Sequence, residues 1–206
     1  MPLLLFMETC MVSFYLMLIA AYLIGAIPTG ILLTRLSGAA DIRKSGSGNI
    51  GATNVYRVAG KKLGILTLVG DALKGAIPVL AAMQLPGLAP AHIGAVAVAA
   101  FLGHCYPVYL GFKGGKGVAT ALGIFLVLCP LAVLGAFAIF AVLLWKWRYV
   151  SLGSIAAAAA IPLLVYFIDG RLAMVATTLF ISLIVIWRHR QNITRLLNGS
   201  ENRFKA

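Results

Sequence analysis

Acidic residues are the scarcest charged type in this chain: five Asp and Glu among 206 residues, against 17 Lys and Arg. Without an acidic cluster, magnesium–nucleotide chemistry is poorly supplied. Cysteine is scarcer still. Cys10, Cys105 and Cys129 are odd in number, lie in or beside apolar segments and form no CxxC spacing. Neither a disulfide framework nor a zinc site is supported, and no metal or cofactor is expected. The amino terminus lacks a basic stretch and a clear cleavage motif, and Glu8 precedes the first apolar run. Residues 11–33 therefore read as a retained span and not as a removed signal peptide, with residues 1–10 as an extension.

Apolar residues are abundant instead. The chain is 62% hydrophobic and 11% charged, against roughly 45–50% and ~25% in soluble domains. The expected fold is all-α, a single polytopic transmembrane helical bundle. A span needs about 20 apolar residues, which places spans near 11–33, 63–85, 92–112, 131–146, 151–167 and 172–187. The run 118–129 is apolar but short and is followed by Pro130. Counting it gives about seven spans; a re-entrant helix is the alternative. Fifteen of the 17 basic residues then fall in loops 34–62, 113–117 and 146–150 and in the tail 188–206. By the positive-inside rule, the amino terminus lies outside, and the carboxy terminus and basic loops are cytoplasmic. A balance of +12 would suggest nucleic acid for a soluble protein. Here the cations flank spans, so anionic lipid and phosphate ligands are expected, with no nucleic acid.

Two polar islands stand out in this apolar chain. The first is Ser45-Gly-Ser-Gly-Asn-Ile-Gly-Ala-Thr-Asn-Val-Tyr-Arg57. Its Gly46-x-Gly48-x-x-Gly51 spacing matches a dinucleotide fingerprint, but it follows a membrane helix and not a buried strand, so that reading fails. The local physics survives: small residues admit an anion, and a short helix from near Gly51 would aim its amides at it. Arg57 would close such a site, with Asn49 and Asn54 as hydrogen-bonding partners.

The second island runs from His104 to Thr120 and contains Gly111-Phe-Lys-Gly-Gly-Lys-Gly117. It is no P-loop, because Gly117 follows Lys116 where Ser or Thr is required. Phosphate binding without a metal remains, through the lysines and the amides of Gly114, Gly115 and Gly117. Tyr109 follows His104 by five residues, so the His-x₄-Asp dyad of thioester-using acyltransferases is absent. No Gly-x-Ser-x-Gly elbow occurs either, which disfavours an acyl-serine. Asp71 and Lys74, three residues apart within the second span, either support the site or merely neutralise each other. Ser151 and Ser154, with Arg188-His189-Arg190-Gln191-Asn192 and Arg195, form a third polar cluster whose bland reading is a solvated basic tail.

Both islands, together with Arg188-His-Arg-Gln-Asn-Ile-Thr-Arg-Leu-Leu-Asn-Gly-Ser-Glu201, resemble the signature blocks of the bacterial acyl-phosphate-dependent glycerol-3-phosphate acyltransferases. The resemblance extends nearly end to end. It implies an inner-membrane enzyme that moves a fatty acyl group from acyl phosphate to the 1-hydroxyl of glycerol 3-phosphate, giving lysophosphatidate and phosphate. Carried onto this sequence, it implies substrate roles for Ser47, Asn49, Thr53, Asn54 and Arg57. It implies the same for His104, Lys113 and Lys116 with the intervening glycine amides, and for Ser151, Ser154, His189, Asn192, Arg195 and Glu201. His104, Lys116 and Arg57 are the candidate catalytic residues. The residue chemistry agrees, because an acyl phosphate needs two anions placed and neutralised and no protein nucleophile. His104 or a substrate phosphate takes the hydroxyl proton; a positioning role for His104 is favoured. The competing class is a transporter of a small phosphorylated metabolite, which calls for inverted repeats that the sequence does not clearly show.

Overall fold

The computed structural model describes residues 2–204, with side chains from residue 8 onward. Among the described residues the chain is all-helical. It comprises α1 (Pro2–Gly25), α2 (Thr29–Leu36), α3 (Ala52–Ala59), α4 (Lys61–Met83) and α5 (Pro90–Cys105). After a 3-10 turn (Val108–Leu110) come α6 (Val118–Leu128), α7 (Pro130–Trp147), α8 (Val150–Ile168), α9 (Leu172–Arg188) and α10 (Arg190–Leu197). Five helices are long and apolar enough to cross a membrane, and a sixth span results if α9 and α10, bent by 55°, are taken together. With only 11 residues, α6 is about 16 Å long, well short of a ~30 Å hydrocarbon core.

The expected first span over 11–33 requires correction. Its helix starts at Pro2 and stops at Gly25, and a separate helix begins at Thr29. Pro28 is the cause: it has no N–H to donate, and its ring disfavours helix in the residue before it. The break leaves the Ile27 carbonyl outside a helix, where it accepts from Lys74 Nζ at 2.7 Å. The remaining expected spans coincide with helices α4 to α9 to within a few residues, except that 92–112 ends as helix at Cys105 and finishes in the 3-10 turn, and α6 is too short to count as a seventh full-length span.

The backbone divides after Val127 into two compact units. In the first, small residues set the helix spacing. Gly25 faces the backbone of Ala100, and Gly103 faces the Tyr22 carbonyl, so α1 and α5 cross with no room for a Cβ at either glycine. Gly75 against Thr120, and Gly123 against Ala72, do the same for α4 and α6. Such close crossings give dispersion contact where lipid removes the hydrophobic drive between helices. Phe14, Ala21, Ala82, Val96 and Ala100 form a buried cluster joining α1, α4 and α5. Leu16, Ile19, Leu73 and Ile77 point outward and are exposed, as lipid-facing positions should be.

The second unit packs α7 on α8 and α8 on α9. Its carboxy-terminal segment folds back onto the α7–α8 turn. There the Phe204 N–H donates to the Arg148 carbonyl at 2.6 Å, and Arg148 Nε donates to the Phe204 carbonyl at 3.1 Å. Lys146 over Trp147 and Arg190 over Trp187 add cation–π contacts near helix ends.

Candidate functional site

The first island is a loop wound around one side chain, Asn54. That residue is 2% exposed. Its Nδ2 donates to the carbonyls of Ile42 at 2.8 Å, Asn49 at 2.9 Å and Ser45 at 3.1 Å. Its Oδ1 accepts from the Ser47 N–H at 2.8 Å. Gly46 and Gly48 take positive φ of 64° and 70°, and a Cβ at Gly46 would strike Asn54 Oδ1. Asn54 therefore shapes the loop from within, whereas the sequence reading assigned it to substrate. Asn49 also works locally, its Oδ1 accepting the Gly51 N–H at 2.8 Å. Gly51 then opens α3, whose first amides have no partner within the helix. Ser47 is exposed, Thr53 lies half-buried on the first turn of α3, and Arg57 is exposed on its last.

Asn54→Ala is expected to leave several buried loop groups without partners, a loss of about 3 kcal/mol or more. Limited proteolysis should then cut between residues 43 and 51 at a protease concentration that spares the parent protein.

The second island folds back on the end of α5. The Gly115 N–H donates to the His104 carbonyl at 3.2 Å. Gly114 lies against Pro107 and the carbonyls of His104 and Cys105, and Gly115 lies against His104 Nε2, with no space for a side chain at either. Gly111 and Phe112 are both left-handed, with φ of 56° and 63°. Tyr22 Oη donates to the Tyr106 carbonyl at 2.7 Å and ties this turn to α1. Lys113 is exposed, and Lys116 is half-buried between Gly115 and Gly117. The two islands meet. Leu110 packs on the apolar cluster of Ile31, Ile42, Ile50 and Val55 beneath the first loop.

His104 is 4% exposed. Its Nδ1 lies 3.8 Å from Asp71 Oδ1, which is itself 2.8 Å from Lys74 Nζ. Among the described residues, no three His, Cys, Asp or Glu side chains gather into a metal site.

In the second unit, Glu201 is the hub. Its Oε1 accepts from Ser151 Oγ at 2.9 Å and Asn192 Nδ2 at 2.7 Å, and its Oε2 accepts from Arg195 Nε at 2.7 Å. This is an ordered cluster and not a solvated tail. Ser154 Oγ donates to the Val150 carbonyl at 2.9 Å, and buried His189 places Nδ1 2.8 Å from the Val185 carbonyl. A carbonyl only accepts, so that nitrogen carries the proton. Burial alone would raise the Glu201 carboxyl, but hydrogen bonds from Arg195, Asn192 and Ser151 outweigh it and hold the group below its usual range.

A carboxyl lowered by folding stabilises the fold above its unfolded pKa, and that contribution fades as pH falls through the folded value. Glu201→Gln should therefore lower stability by about 2 kcal/mol near neutrality, and the gap to the parent should close below about pH 4. Thermal unfolding in detergent across pH 3–8 would measure it; a gap independent of pH contradicts the assignment.

Membrane-length apolar helices, with glycine turns and cations gathered at the ends of some of them, define an integral membrane protein built to handle anions. The chain belongs to the glycerol-3-phosphate acyltransferase family, whose model matches residues 15–199. A glycerol-3-phosphate acyltransferase of Syntrophotalea carbinolica is 81% identical over 196 residues, covering 95% of this chain and all of that one. One of Geobacter sulfurreducens is 60% identical over 186 residues, covering 90% and 95%. The crystal structure of PlsY, an integral membrane glycerol 3-phosphate acyltransferase, in its glycerol 3-phosphate form matches with a TM-score of 0.88 at 44% identity. That match covers 94% of this chain and 96% of PlsY. The lysophosphatidic acid form of PlsY matches with a TM-score of 0.86 at 43% identity.

Proposed function

We propose that this acyltransferase takes its acyl group from acyl phosphate and delivers it to the 1-hydroxyl of glycerol 3-phosphate, working as one enzyme domain along the whole chain. The observation that carries the reading is the seating of Leu110 in the apolar cluster beneath the first island. It sets the first glycine-rich loop, which leads into the helix bearing Arg57, beside the second, which bears Lys113 and Lys116. Arg57 and Lys116 neutralise the phosphates and the start of α3 supplies directed donors, while the Gly115 amide, given to the His104 carbonyl, shapes the turn that carries Lys113 and Lys116.

The hydroxyl oxygen forms a new bond to the acyl carbonyl carbon, and the bond from that carbon to the bridging phosphate oxygen breaks. Inorganic phosphate leaves with the electron pair. The hydroxyl proton passes to a substrate phosphate oxygen, since His104 is buried beneath the glycine turn. The reaction balances without a protein nucleophile, cofactor or metal. Ser47, Asn49 and Thr53 contribute hydrogen bonds to substrate, and Asn54 fixes the loop that carries them. In the second unit, Glu201 orients Ser151, Asn192 and Arg195. The terminal guanidinium nitrogens of Arg195 are donors for substrate, while the Ser151 hydroxyl, its proton given to Glu201, can only accept. Ser154 and His189 are assigned to substrate on the resemblance alone.

The basic loops face the cytoplasm of the inner membrane, with the amino terminus outside and the carboxy terminus inside, an arrangement in which the short α6 crosses a locally thinned bilayer. The test is to incubate purified protein in lipid with glycerol 3-phosphate and either palmitoyl phosphate or palmitoyl-coenzyme A. Lysophosphatidate and phosphate formed from the first donor alone support the reading. Equal use of the thioester contradicts it, and uptake into sealed vesicles without acyl product would favour a transporter.

A further inference from the structure

Asp71 and Lys74 are 2% and 6% exposed, deep in α4, and the proposed chemistry uses neither. A buried pair needs a reason, because two charges taken from water regain their hydration only with excellent geometry and further partners. Lys74 has its further partner in the Ile27 carbonyl at the helix break. Asp71 has one as well: the same Oδ1 that faces Lys74 lies 3.8 Å from His104 Nδ1. That distance is too long for a hydrogen bond, but at such burial a carboxylate still acts strongly on an imidazole N–H dipole. On the far side of the ring, Nε2 meets Gly115, and the Gly115 N–H donates to the carbonyl of His104 itself.

The geometry points to Asp71 as a positioning residue: its carboxylate holds the His104 proton on Nδ1 and the ring in place, so that the Gly114–Lys116 turn keeps the shape that receives phosphate. Lys74 offsets the buried charge and anchors the assembly to the break between α1 and α2. This inference rests on the reading that the turn holds a substrate phosphate. The bland alternative is that Asp71 and Lys74 serve only to neutralise one another.

The two differ for Asp71→Leu combined with Lys74→Gln, which removes both charges and keeps a donor for Ile27. Mutual neutralisation predicts a double variant near parental activity. Positioning predicts a loss of about tenfold to a hundredfold in kcat/KM with palmitoyl phosphate. It also predicts an imidazole that no longer keeps its proton on Nδ1, read by 15N NMR of histidine-labelled protein. Activity within about twofold of the parent, with the tautomer unchanged, overturns the proposal. Should the double variant fail to fold, the parent spectrum decides: a His104 proton on Nδ1 supports the proposal, and one on Nε2 overturns it. A parent enzyme inactive with both donors would instead sink the proposed function, and the tautomer measurement would still stand by itself.

Discussion

Lys116→Ala is expected to lower kcat/KM for acyl transfer from palmitoyl phosphate by about a thousandfold while leaving a folded membrane protein. The magnitude follows from what is removed: a directed charge near a developing phosphate anion, in a setting that excludes water, is worth about 3–4 kcal/mol. Lys116 is half-buried and flanked by glycines, one of them at a positive φ of 81°. Arg57→Ala should cost a similar factor, because its forked guanidinium grips phosphate through paired hydrogen bonds. Arg57→Lys should recover only part of the loss, since an ammonium lacks the fork. Steady-state kinetics in lipid nanodiscs, with folding checked by size-exclusion profile and melting, would read these values. Near-parental turnover in both alanine variants would remove the phosphate clamp from the mechanism.

Gly114→Ala is expected to be as damaging through geometry alone. A Cβ at that position overlaps the His104 carbonyl, Pro107 Cδ and the Cys105 carbonyl, two of them backbone atoms at the end of a buried helix. Those atoms cannot yield, so the turn must lift away from α5 and carry Lys113 and Lys116 out of register. A displacement of about 1 Å in a positioning group costs around a hundredfold, and that is the expected minimum loss. Gly111→Ala is the matched control. Unlike Gly114 it sits at positive φ, but no atom lies within 4 Å of its Cβ, so only about 1–2 kcal/mol of backbone strain is at stake. Activity for that variant should stay within about tenfold of the parent, the equivalent of that strain. Equal losses at both glycines would mean that the packing of the turn on His104 is not what sets the activity.

What the sequence made legible follows from the range of the interactions involved. Apolar runs depend only on their own residues, so α4, α7, α8 and α9 were readable to within a few residues, and Gly51 announced α3. The break at Gly25–Pro28 was legible in principle from Pro28, but the apolar run continues through it and hid it. The bend at His189 was hidden in the same way, because a basic tail following a span gives no direction. Site roles were harder. Arg57 and Lys116 were marked by their contrast with apolar surroundings. Asn54 carried the same polar signal, yet its partners are carbonyls of its own loop, which composition does not reveal. Glu201 bonds to Ser151 across 50 residues and Lys74 to Ile27 across 47. Pairings of that length are products of packing, and the resemblance could suggest that Glu201 mattered but not what it touches.

One titration reaches the centre of the account: calorimetric binding of glycerol 3-phosphate, and separately of a non-hydrolysable acyl phosphonate, to the parent, Arg57→Ala and Lys116→Ala proteins in detergent. The glycine–cation loops should bind both anions in the parent, and each variant should lose at least one of them by about a hundredfold. Parental affinity for both anions in both variants would show that the phosphates are held elsewhere.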